Sequence, residues 1–466
     1  ENTMKTEGHT HYATTTDETC RHPLRVCHLV LSLDPGGLEN GVINLVNLLP
    51  GHGVMNYVLC IRRLGKIANR VKNQTPVSSL DYASGFHVRG VSQVARYVKH
   101  HNIDILHTRN RAALMWGGSV KVLCPNIVHV HSEHGTAIEG GKLAAWFARR
   151  ANALLAVSPG LVDEMRTLYK LPAERRISVG PNGVDVDRFK PMSRGRDWRT
   201  GFVEHGRTEE PGDDVQGARK QKKGLRGMLG VSSETKLFGC IGRLDQNKNQ
   251  QLAIRALAQL KDSNARIALC IIGDGPERQE LEKLAAESRL KTRCIASPAA
   301  ESDRPALRNS GNPKAETRKP EPGTRNPEPG TRNPKLFFLG HREDIPQILP
   351  QLDALLLPSL SEGMSNVVLE AGACGLPVIA SDIPANRELI RDGVTGSLLP
   401  VDDSGSWASC MTRYARAPEE RKEMGNCARD LVQSEYSLDR MTERYAELYR
   451  RSVRCSRTGV GERSVT

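Results

Sequence analysis

The chain has 466 residues and a formal net charge of +13 at pH 7. This length exceeds what one hydrophobic core usually supports, so two domains are expected. Only 38% of the residues are hydrophobic and 4% are aromatic, which predicts that part of the chain contributes little to a core. Residues 191–226, 291–335 and 449–466 together carry +12 of the +13. Because the remainder is nearly neutral, a basic groove for nucleic acid is not supported, whereas contact with an anionic lipid surface stays open.

Cysteine spacing and hydropathy indicate the cellular compartment in which the protein is expected. The eleven cysteines show no C-x-x-C spacing, and several lie inside apolar runs, which favours buried, reduced thiols. No run approaches the roughly 18 consecutive apolar residues of a membrane-spanning helix, and residues 1–22 lack the apolar centre of a signal peptide. We therefore expect a cytoplasmic protein, peripheral on the inner face of the plasma membrane where it contacts lipid.

Short apolar, β-rich runs alternate with helix-like segments from residue 24 onwards, and such alternation predicts parallel strands covered by helices. In the first half the runs are 24–31, 57–61, 103–107, 127–131, 154–157 and 177–179. In the second half they are 237–241, 268–272, 336–339, 354–357 and 377–380. The pattern predicts an α/β protein with two doubly wound domains, at residues 24–182 and 227–435. Ligands are expected at the carboxyl ends of their strands.

Several segments are predicted to lie outside these two cores. Residues 192–226 are polar, and residues 292–334 contain the heptad E-P-G-T-R-N-P twice in tandem. Such sequence buries too little apolar surface to offset its chain entropy, so both are predicted to be disordered insertions. A partner-binding role for the heptads is the alternative to a tolerated loop. Residues 1–23 and 453–466 are predicted to be disordered ends, and residues 436–452 a final helix.

The first candidate binding motif follows the first predicted strand. Gly36 and Gly37 precede a helix, where glycine lets the backbone approach a ligand and free N–H groups attract phosphate. An ordinary turn is the alternative interpretation. The motif lacks the G-x-G-x-x-G spacing of a dinucleotide site, which argues against a dehydrogenase.

The second candidate motif follows the first strand of the second half. Arg243 and Lys248 lie five residues apart on one loop. A planar guanidinium and an ammonium group so placed are able to converge on a diphosphate. Solvated surface charge is the alternative, and the position at a strand end favours the binding interpretation.

The third candidate is the pair of acids in S-E-G-M-S-N-V-V-L-E. Glu362 lies on a loop and Glu370 within the helix that follows it. One carboxylate is expected to accept hydrogen bonds from sugar hydroxyls and the other from a ribose. A solvated helix with two glutamates is the alternative. A magnesium site is disfavoured because the Asp-x-Asp pair, Asp185 and Asp187, falls in the turn between the halves.

The fourth candidate is the histidine group His129, His131 and His134. No Cys or carboxylate cluster with matching spacing accompanies it, which argues against zinc. The group closes a strand of the first half, where one histidine is expected to orient the transferring sugar. Ordinary polar residues at a strand end are the alternative.

In this order, the motifs resemble the retaining nucleotide-sugar glycosyltransferases of family 4, whose fold is GT-B. Glu362 and Glu370 are similar to the E-x7-E signature of that family. Further similar segments are Asn182-Gly183-Val184-Asp185, Gly242-Arg243-Leu244 and Gly273-Asp274-Gly275-Pro276-Glu277. The resemblance covers residues 24–449 apart from the insertions. It implies two Rossmann-like domains whose parallel sheets face a cleft, with a C-terminal helix that crosses back to the first domain.

A narrower branch is also similar, namely the sugar transferases of bacterial exopolysaccharide and exosortase (PEP-CTERM) systems. The segments that carry this similarity are residues 36–41, His107-Thr108-Arg109-Asn110 and Glu133-His134-Gly135. The branch implies a glycan or polyprenyl-linked acceptor.

The family resemblance also implies residue roles. Arg243 and Lys248 would neutralise the donor diphosphate, Glu370 would bind the ribose and Glu362 would hold the transferred sugar. His134 is assigned to the reacting sugar, with His131 as the second choice. The remaining implied donor contacts are Gly36, Gly37, His341, Gly363, Met364, Ser365 and Asn366, and the acceptor side comprises His131, Arg109 and Asn110. The family implies no cofactor and no metal, with the nucleotide sugar as substrate.

The expected reaction requires stabilisation of the negative charge that develops on the leaving group. Cleavage of the anomeric carbon–oxygen bond leaves a nucleotide diphosphate anion that Arg243 and Lys248 are suited to stabilise. No carboxylate is securely placed for a double displacement, so the resemblance implies retention by attack on the face of departure. Two alternatives stay open: a sugar-nucleotide epimerase of the same fold, which should lack this combination of motifs, and a non-catalytic basic binding protein that acts through its charged loops.

Overall fold

The computed structural model describes residues 22–72, 74–83, 85–135, 141–192, 224–261, 265–295 and 334–458. These residues divide into two compact units. One contains the described residues up to His131, Arg150–Asn152, and those from Ala446 onwards, and the other contains the rest. The segments predicted to be disordered lie largely outside the described residues, and the predicted domain boundaries stay predictions.

The first sheet is built from the first half of the chain. Its strands are β1 (Leu24–Val30), β2 (Val54–Cys60), β3 (Val77–Ser79), β4 (Ile105–Arg109), β5 (Val128–Glu133), β6 (Ala153–Ala156) and β7 (Ser178–Val179). Their order is β3-β2-β1-β4-β5-β6-β7, and β1 pairs in parallel with both β2 and β4. The strand order reverses between β1 and β4, which is where doubly wound folds bind ligands.

Helices cover both faces of this sheet. They are α1 (Gly37–Leu48), α2 (Val88–His100), α3 (Arg111–Leu123), α4 (Lys142–Arg150) and α5 (Pro159–Tyr169). Neighbouring residues of β1 point to opposite faces: Leu29 packs with Val94 of α2 and Trp116 of α3, whereas Val30 packs with Val42 of α1. Burial on both faces explains why the central strands are continuous apolar runs in the sequence.

The second sheet repeats this architecture. Its strands are β8 (Lys236–Ile241), β9 (Ile267–Ile272), β10 (Lys291–Cys294), β11 (Lys335–Gly340), β12 (Ala354–Leu357), β13 (Val378–Ser381) and β14 (Gly396–Leu399). Their order is β10-β11-β9-β8-β12-β13-β14, and β8 pairs in parallel with β9 and β12. The order reverses between β8 and β12. The prediction of two Rossmann-like parallel sheets is therefore confirmed.

The second half also carries the remaining helices. They are α6 (Leu225–Leu229), α7 (Gln250–Gln259), α8 (Arg278–Glu287), α9 (Ile345–Ile348), α10 (Asn366–Ala373), α11 (Pro384–Leu389), α12 (Ser404–Arg416), α13 (Pro418–Glu435) and α14 (Leu438–Thr458). One core cluster joins Phe238 and Leu269 of the sheet to Ile254 of α7 and Trp407 of α12. This packing fixes the sheet against its helices.

Every predicted strand is present, but the sequence missed β3, β10 and β14. All three lie at a sheet edge, and β10, with sequence K-T-R-C, is exposed along its length. Strand β10 buries no side chain and β3 is only half-buried, so hydrophobic patterning does not reveal them, and β14 begins with Gly396 and Ser397 rather than with large apolar residues. Strand β10 occupies the first residues of the insertion predicted at 292–334, α6 begins inside the one predicted at 192–226, and α14 continues through the start of the tail predicted at 453.

Helix α14 crosses from one unit to the other, as predicted. Its residues up to Tyr445 belong to the second unit, where the Tyr445 hydroxyl donates to the Gly180 carbonyl oxygen at 3.1 Å. From Ala446 it belongs to the first unit, where the Tyr449 hydroxyl lies 2.7 Å from His107 Nδ1. Arg450 Nη2 donates to the His52 carbonyl oxygen at 2.6 Å. The C-terminal half of α14 therefore packs within the first unit, against residues from the first half of the chain.

Histidines are buried in the first sheet as neutral hydrogen-bonding groups. His28 Nε2 lies 3.2 Å from Asn56 Oδ1, and His129 Nε2 lies 2.9 Å from Thr108 Oγ1. Burial lowers the pKa of both His28 and His129 to about 3, and the nearby Arg109 charge also lowers the pKa of His28. Both imidazoles are therefore neutral near pH 7.

Acidification is expected to destabilise the fold through these two histidines. Their folded-state pKa of about 3 lies below the ordinary value of 6.5, so only the unfolded chain takes up their protons between these pH values. The stabilisation is complete above pH 6.5. As pH falls towards 3, each histidine should lower the free energy of unfolding by up to about 1.4 kcal/mol per pH unit. Urea unfolding at pH 7 and pH 5 measures this loss.

A variant comparison isolates the contribution of one imidazole. His129→Gln should show a smaller pH dependence of the free energy of unfolding than the unchanged protein, whereas His22→Gln, at an exposed position, should not. Equal pH dependence in His129→Gln and the unchanged protein would contradict the burial argument.

Candidate active site

The second sheet brings two predicted motifs together at its reversal point. The loop after β8 carries Arg243 and continues into a short 3-10 helix, Gln246–Lys248. The loop after β12 carries Glu362. Asn247 joins the two loops: its carbonyl oxygen accepts from the Leu360 N–H at 2.8 Å and its Nδ2 donates to the Ser361 carbonyl oxygen at 2.7 Å. The two motifs therefore form one site at the carboxyl ends of β8 and β12.

An ion pair between Lys248 and Glu362 lies at the centre of this site. Lys248 Nζ is 2.6 Å from Glu362 Oε1, and the side chains are 25% and 9% exposed. Ser359 Oγ donates to the same Oε1 at 2.7 Å. Motif reasoning placed both charged residues in the site, but it predicted neither their contact nor the role of Ser359.

Arg243 presents a cation to solvent from the same loop. Its side chain is 73% exposed, and its Nε lies 3.9 Å from Asp245 Oδ2. Its backbone is held in place, because Gln250 Nε2 donates to the Arg243 carbonyl oxygen at 2.8 Å. The guanidinium can therefore reach an anionic ligand while its Cα stays fixed.

Glycines allow close backbone packing beneath Arg243. A Cβ atom on Gly273 would clash with the Gly242 carbonyl oxygen, and one on Gly275 would clash with Leu244. The Leu244 N–H donates to the Asp274 carbonyl oxygen at 3.0 Å, and the Leu244 carbonyl accepts from the Glu277 N–H at 3.0 Å. The motif at residues 273–277 therefore supports the Arg243 loop from behind.

Helix α10 carries the second predicted acid. Glu370 is half-buried, and burial raises its pKa to about 7, an effect that the positive charge of Arg188 opposes. A group with this pKa is poised to gain charge when a ligand donates hydrogen bonds to it. Ser365, buried, occupies the N-cap position of α10.

The turn around Asn182 contacts the start of α10. The Asn182 N–H donates to Met364 Sδ at 3.1 Å, and Asn182 Nδ2 donates to Asn366 Oδ1 at 2.9 Å. Met364 is buried. Among the predicted donor contacts, Met364, Ser365 and Asn366 are therefore brought together, with Met364 and Asn366 held by the turn that the sequence also singled out.

Of the histidine group, His134 lies beside the Glu362 loop. A Cβ atom on Gly363 would clash with the His134 carbonyl oxygen, so glycine permits this approach. The ring is half-buried, and its Nε2 lies 3.0 Å from Ser132 Oγ. His131, the second choice, is fully buried in the first sheet with its Nδ1 3.0 Å from Thr108 Oγ1. Burial of His131 argues against direct sugar contact, because an even spacing along β5 places it beside His129 inside the sheet.

The predicted residues of the first unit flank the reversal point between β1 and β4. Gly36 precedes α1 and Gly37 is its first residue. Arg109, at the end of β4, is buried. Asn110 adopts φ 72° and caps α3, with its Oδ1 accepting from the Ala113 N–H at 3.0 Å. Their roles in donor and acceptor binding stay predictions, as does that of His341, which is exposed after β11.

Asp185 and Asp187, the Asp-x-Asp pair, lie in the described turn between the two halves of the chain. Asp185 Oδ1 accepts from the Asp187 and Arg188 N–H groups at 3.1 Å and 2.9 Å, so this carboxylate stabilises its own turn. Within the described residues, no group of three His, Cys, Asp or Glu side chains is placed to hold a metal ion. No helix in the described part of the chain is long and apolar enough to cross a bilayer.

Comparison with protein families gives three matches. The model described as Glycosyltransferase Family 4 matches residues 35–188. Models described as Glycosyl transferases group 1 match residues 222–307 and 317–416. The matches span both halves of the chain, including the loops that carry Gly37, Arg243 and Glu362.

Curated relatives agree with these matches. The N-acetyl-alpha-D-glucosaminyl L-malate synthase of Bacillus anthracis is 30% identical over 384 residues, which cover 79% of this chain and 80% of that protein. An Escherichia coli UDP-Gal:alpha-D-GlcNAc-diphosphoundecaprenol alpha-1,3-galactosyltransferase is 24% identical over 376 residues, covering 78% and 79%. The putative glycosyltransferase EpsF of Bacillus subtilis is 23% identical over 248 residues, covering 53% and 47%.

Solved structures show the same fold. The Anabaena protein Alr3699/HepE in complex with UDP superimposes with a TM-score of 0.67 at 20% identity, covering 92% of this chain and 100% of that one. A glycosyltransferase from Rickettsia africae gives a TM-score of 0.68 at 16% identity, covering 93% and 99%. Together with the family matches and the Bacillus anthracis relative, these findings show that the chain is a glycosyltransferase of family 4 with the GT-B fold.

Proposed function

We propose that the protein transfers a sugar from a nucleotide diphosphate to a glycan or polyprenyl-linked acceptor, with retention of the anomeric configuration. The observation that carries the proposal is the contact between Lys248 and Glu362 at the reversal point of the second sheet, with Arg243 exposed on the loop that leads to Lys248. Two cations and a carboxylate on adjoining loops match a ligand that has a diphosphate next to a sugar.

The two cations are suited to the departing diphosphate. An ammonium group has three donors, and Lys248 uses one for Glu362, so two others are available to phosphate oxygens. Arg243 adds a planar fork from an exposed position. Both charges act where negative charge develops as the anomeric carbon–oxygen bond breaks.

Retention is proposed to arise from attack on the face that the diphosphate leaves. Glu362 Oε1 already accepts from Lys248 and Ser359, which suits this carboxylate to holding a sugar hydroxyl rather than to attacking the anomeric carbon. The acceptor oxygen bonds to that carbon, and its proton passes to the departing diphosphate. Neither a cofactor nor a divalent metal is part of the proposed reaction.

Glu370 is proposed to bind the donor ribose. It lies within α10, directly beyond the loop of Glu362, and its pKa of about 7 allows it to ionise when ribose hydroxyls donate to it. His134, whose backbone contacts Gly363, is proposed to face the transferred sugar. Gly37, together with Gly36, is proposed to offer backbone N–H groups from the start of α1.

The similar proteins suggest which substrates to test first. The Anabaena structure contains UDP, and the name of the Escherichia coli relative gives a UDP-sugar donor and a diphosphoundecaprenol-linked acceptor. We therefore propose a UDP-sugar donor and a polyprenyl-linked acceptor. The similarity to EpsF supports a role in bacterial exopolysaccharide biosynthesis.

Contact with an anionic membrane is proposed to occur through α4. Leu143 and Trp146 on this helix are 53% and 37% exposed. Lys142, Arg149 and Arg150 are exposed on the same helix, which contains no acidic residue. Apolar and cationic side chains on one helix face are typical of helices that lie in a lipid interface. This contact would place the protein on the cytoplasmic face of the plasma membrane, where polyprenyl-linked acceptors are held.

A donor screen tests the proposed reaction. Purified protein is incubated with UDP-, GDP- and ADP-sugars and a polyprenyl-linked acceptor in parallel reactions that contain either Mg²⁺ or EDTA. Nucleoside diphosphate should be released from one donor class together with a glycosylated lipid of unchanged anomeric configuration. Absence of release from every donor would overturn the proposed function, and release that EDTA abolishes would overturn metal independence.

Loss of either cation should slow turnover. Arg243→Ala and Lys248→Ala are each expected to lower kcat/KM by about 100-fold to 1,000-fold, as when one donor to a developing anion is removed. Arg255→Ala, at an exposed position of α7, is the matched control and should retain full activity. Equal activity in Arg243→Ala and the control would exclude Arg243 from the site.

The same assay separates catalysis from the alternative of a basic binding protein. Glu370→Ala should reduce transfer strongly, whereas replacement of residues 296–333 by a Gly/Ser linker, which keeps β10 and β11, should leave transfer intact. The binding hypothesis requires the reverse result.

Vesicle sedimentation tests the role of α4. Binding to vesicles that contain phosphatidylglycerol should exceed binding to phosphatidylcholine vesicles, and Leu143→Ser combined with Trp146→Ser should reduce it about tenfold or more, because apolar burial is lost. Val122→Ser with Leu123→Ser, two exposed apolar residues of α3, is the matched control. Unchanged binding in the α4 variant would exclude this helix as the lipid contact.

A further inference from the structure

The two carboxylate oxygens of Glu362 have different surroundings. Oε1 accepts from Lys248 Nζ at 2.6 Å and from Ser359 Oγ at 2.7 Å. Among the described residues, no hydrogen bond to Oε2 is found within 3.5 Å. Both protein donors therefore converge on one oxygen and leave the other available to a ligand.

The donors themselves are fixed by the loops that carry them. Ser359 is fully buried, two residues beyond the end of β12. Lys248 ends the 3-10 helix that Asp245 caps, with Asp245 Oδ1 accepting from the Lys248 N–H at 3.1 Å. Asn247 ties this helix to the carbonyl oxygen of Ser361. Neither donor can move far without breaking these contacts.

Ser359 has a separate effect from Lys248. A lysine alone binds either oxygen of a carboxylate equally well, because its ammonium group is a rotatable point charge. The buried hydroxyl adds a short, directional bond from the sheet side and so selects one orientation of the carboxylate plane.

We propose that Ser359 is a positioning residue: with Lys248 it anchors Oε1 of Glu362 so that Oε2 is presented to a hydroxyl group of the transferred sugar. This inference rests on the proposed function, since it requires Glu362 to hold that sugar. Ser359 touches no substrate itself. Binding of the sugar, but not binding of the nucleotide, therefore depends on the buried Ser359 hydroxyl.

The test compares binding of the nucleotide with binding of the nucleotide sugar. Ser359→Ala and Ser359→Thr are titrated with UDP and with UDP-glucose, or with the matching pair of another base if the donor screen selects one. Ser359→Ala should weaken binding of the nucleotide sugar about tenfold, as expected for loss of a hydrogen bond to a charged group. Its affinity for the nucleoside diphosphate should change less than about twofold, and Ser359→Thr, which keeps the hydroxyl, should recover at least part of the loss.

Kinetics and stability provide the remaining controls. Ser359→Ala should lower kcat/KM for transfer about tenfold or more, and Ser232→Ala, which removes a hydroxyl near the amino end of β8, should not. The melting temperature of each variant reports whether the fold is intact. If Ser359→Ala weakens UDP and UDP-glucose equally, or weakens neither, the positioning role is overturned while the transferase proposal stands. If the unchanged protein cleaves no nucleotide sugar, the proposed function fails first.

Discussion

The site depends on one ion pair between two partly buried side chains. Lys248 and Glu362 join the loops after β8 and β12, and these strands flank the reversal point of the second sheet. Removing Lys248 would leave the Glu362 carboxylate, the more buried partner, without its counter-charge, which is destabilising. In the proposed reaction, a nucleotide sugar brings a diphosphate for the cation and hydroxyls for the carboxylate, so it can satisfy both charges without separating them. Under that proposal, the ion pair couples binding of the diphosphate to binding of the sugar.

The sequence predicted much of this fold, and the reasons for success and failure are physical. Central strands such as β9 and β12 are buried on both faces, so they appear in the sequence as continuous apolar runs, which are not typical of exposed loops. The edge strand β10 is exposed and polar, so nothing in its pattern distinguishes it from the insertion that follows. Motif spacing identified Lys248 and Glu362 separately. Their contact joins residues 114 positions apart and depends on strand order, which spacing does not contain.

The sequence also does not distinguish which polar residues near a strand end are buried and which lie beside the candidate site. His131 and His134 are three residues apart, and the sequence made His134 the first choice and His131 the second. One lies inside the first sheet and the other lies beyond β5 against Gly363. Only the position of the strand end distinguishes a buried hydrogen-bonding group from one beside a ligand site. Ser359 was missed for a related reason, since a serine in a loop carries no signal until its hydroxyl is seen to point at Glu362.

The path of α14 has a consequence for how the protein is made. Tyr449 supplies the hydroxyl beside His107 in the centre of the first sheet, although more than 300 residues separate the two in the chain. Domains of large proteins generally fold in order as they leave the ribosome. Here the imidazole of His107, on β4, gains this neighbour only after α14, the last described helix, has been translated.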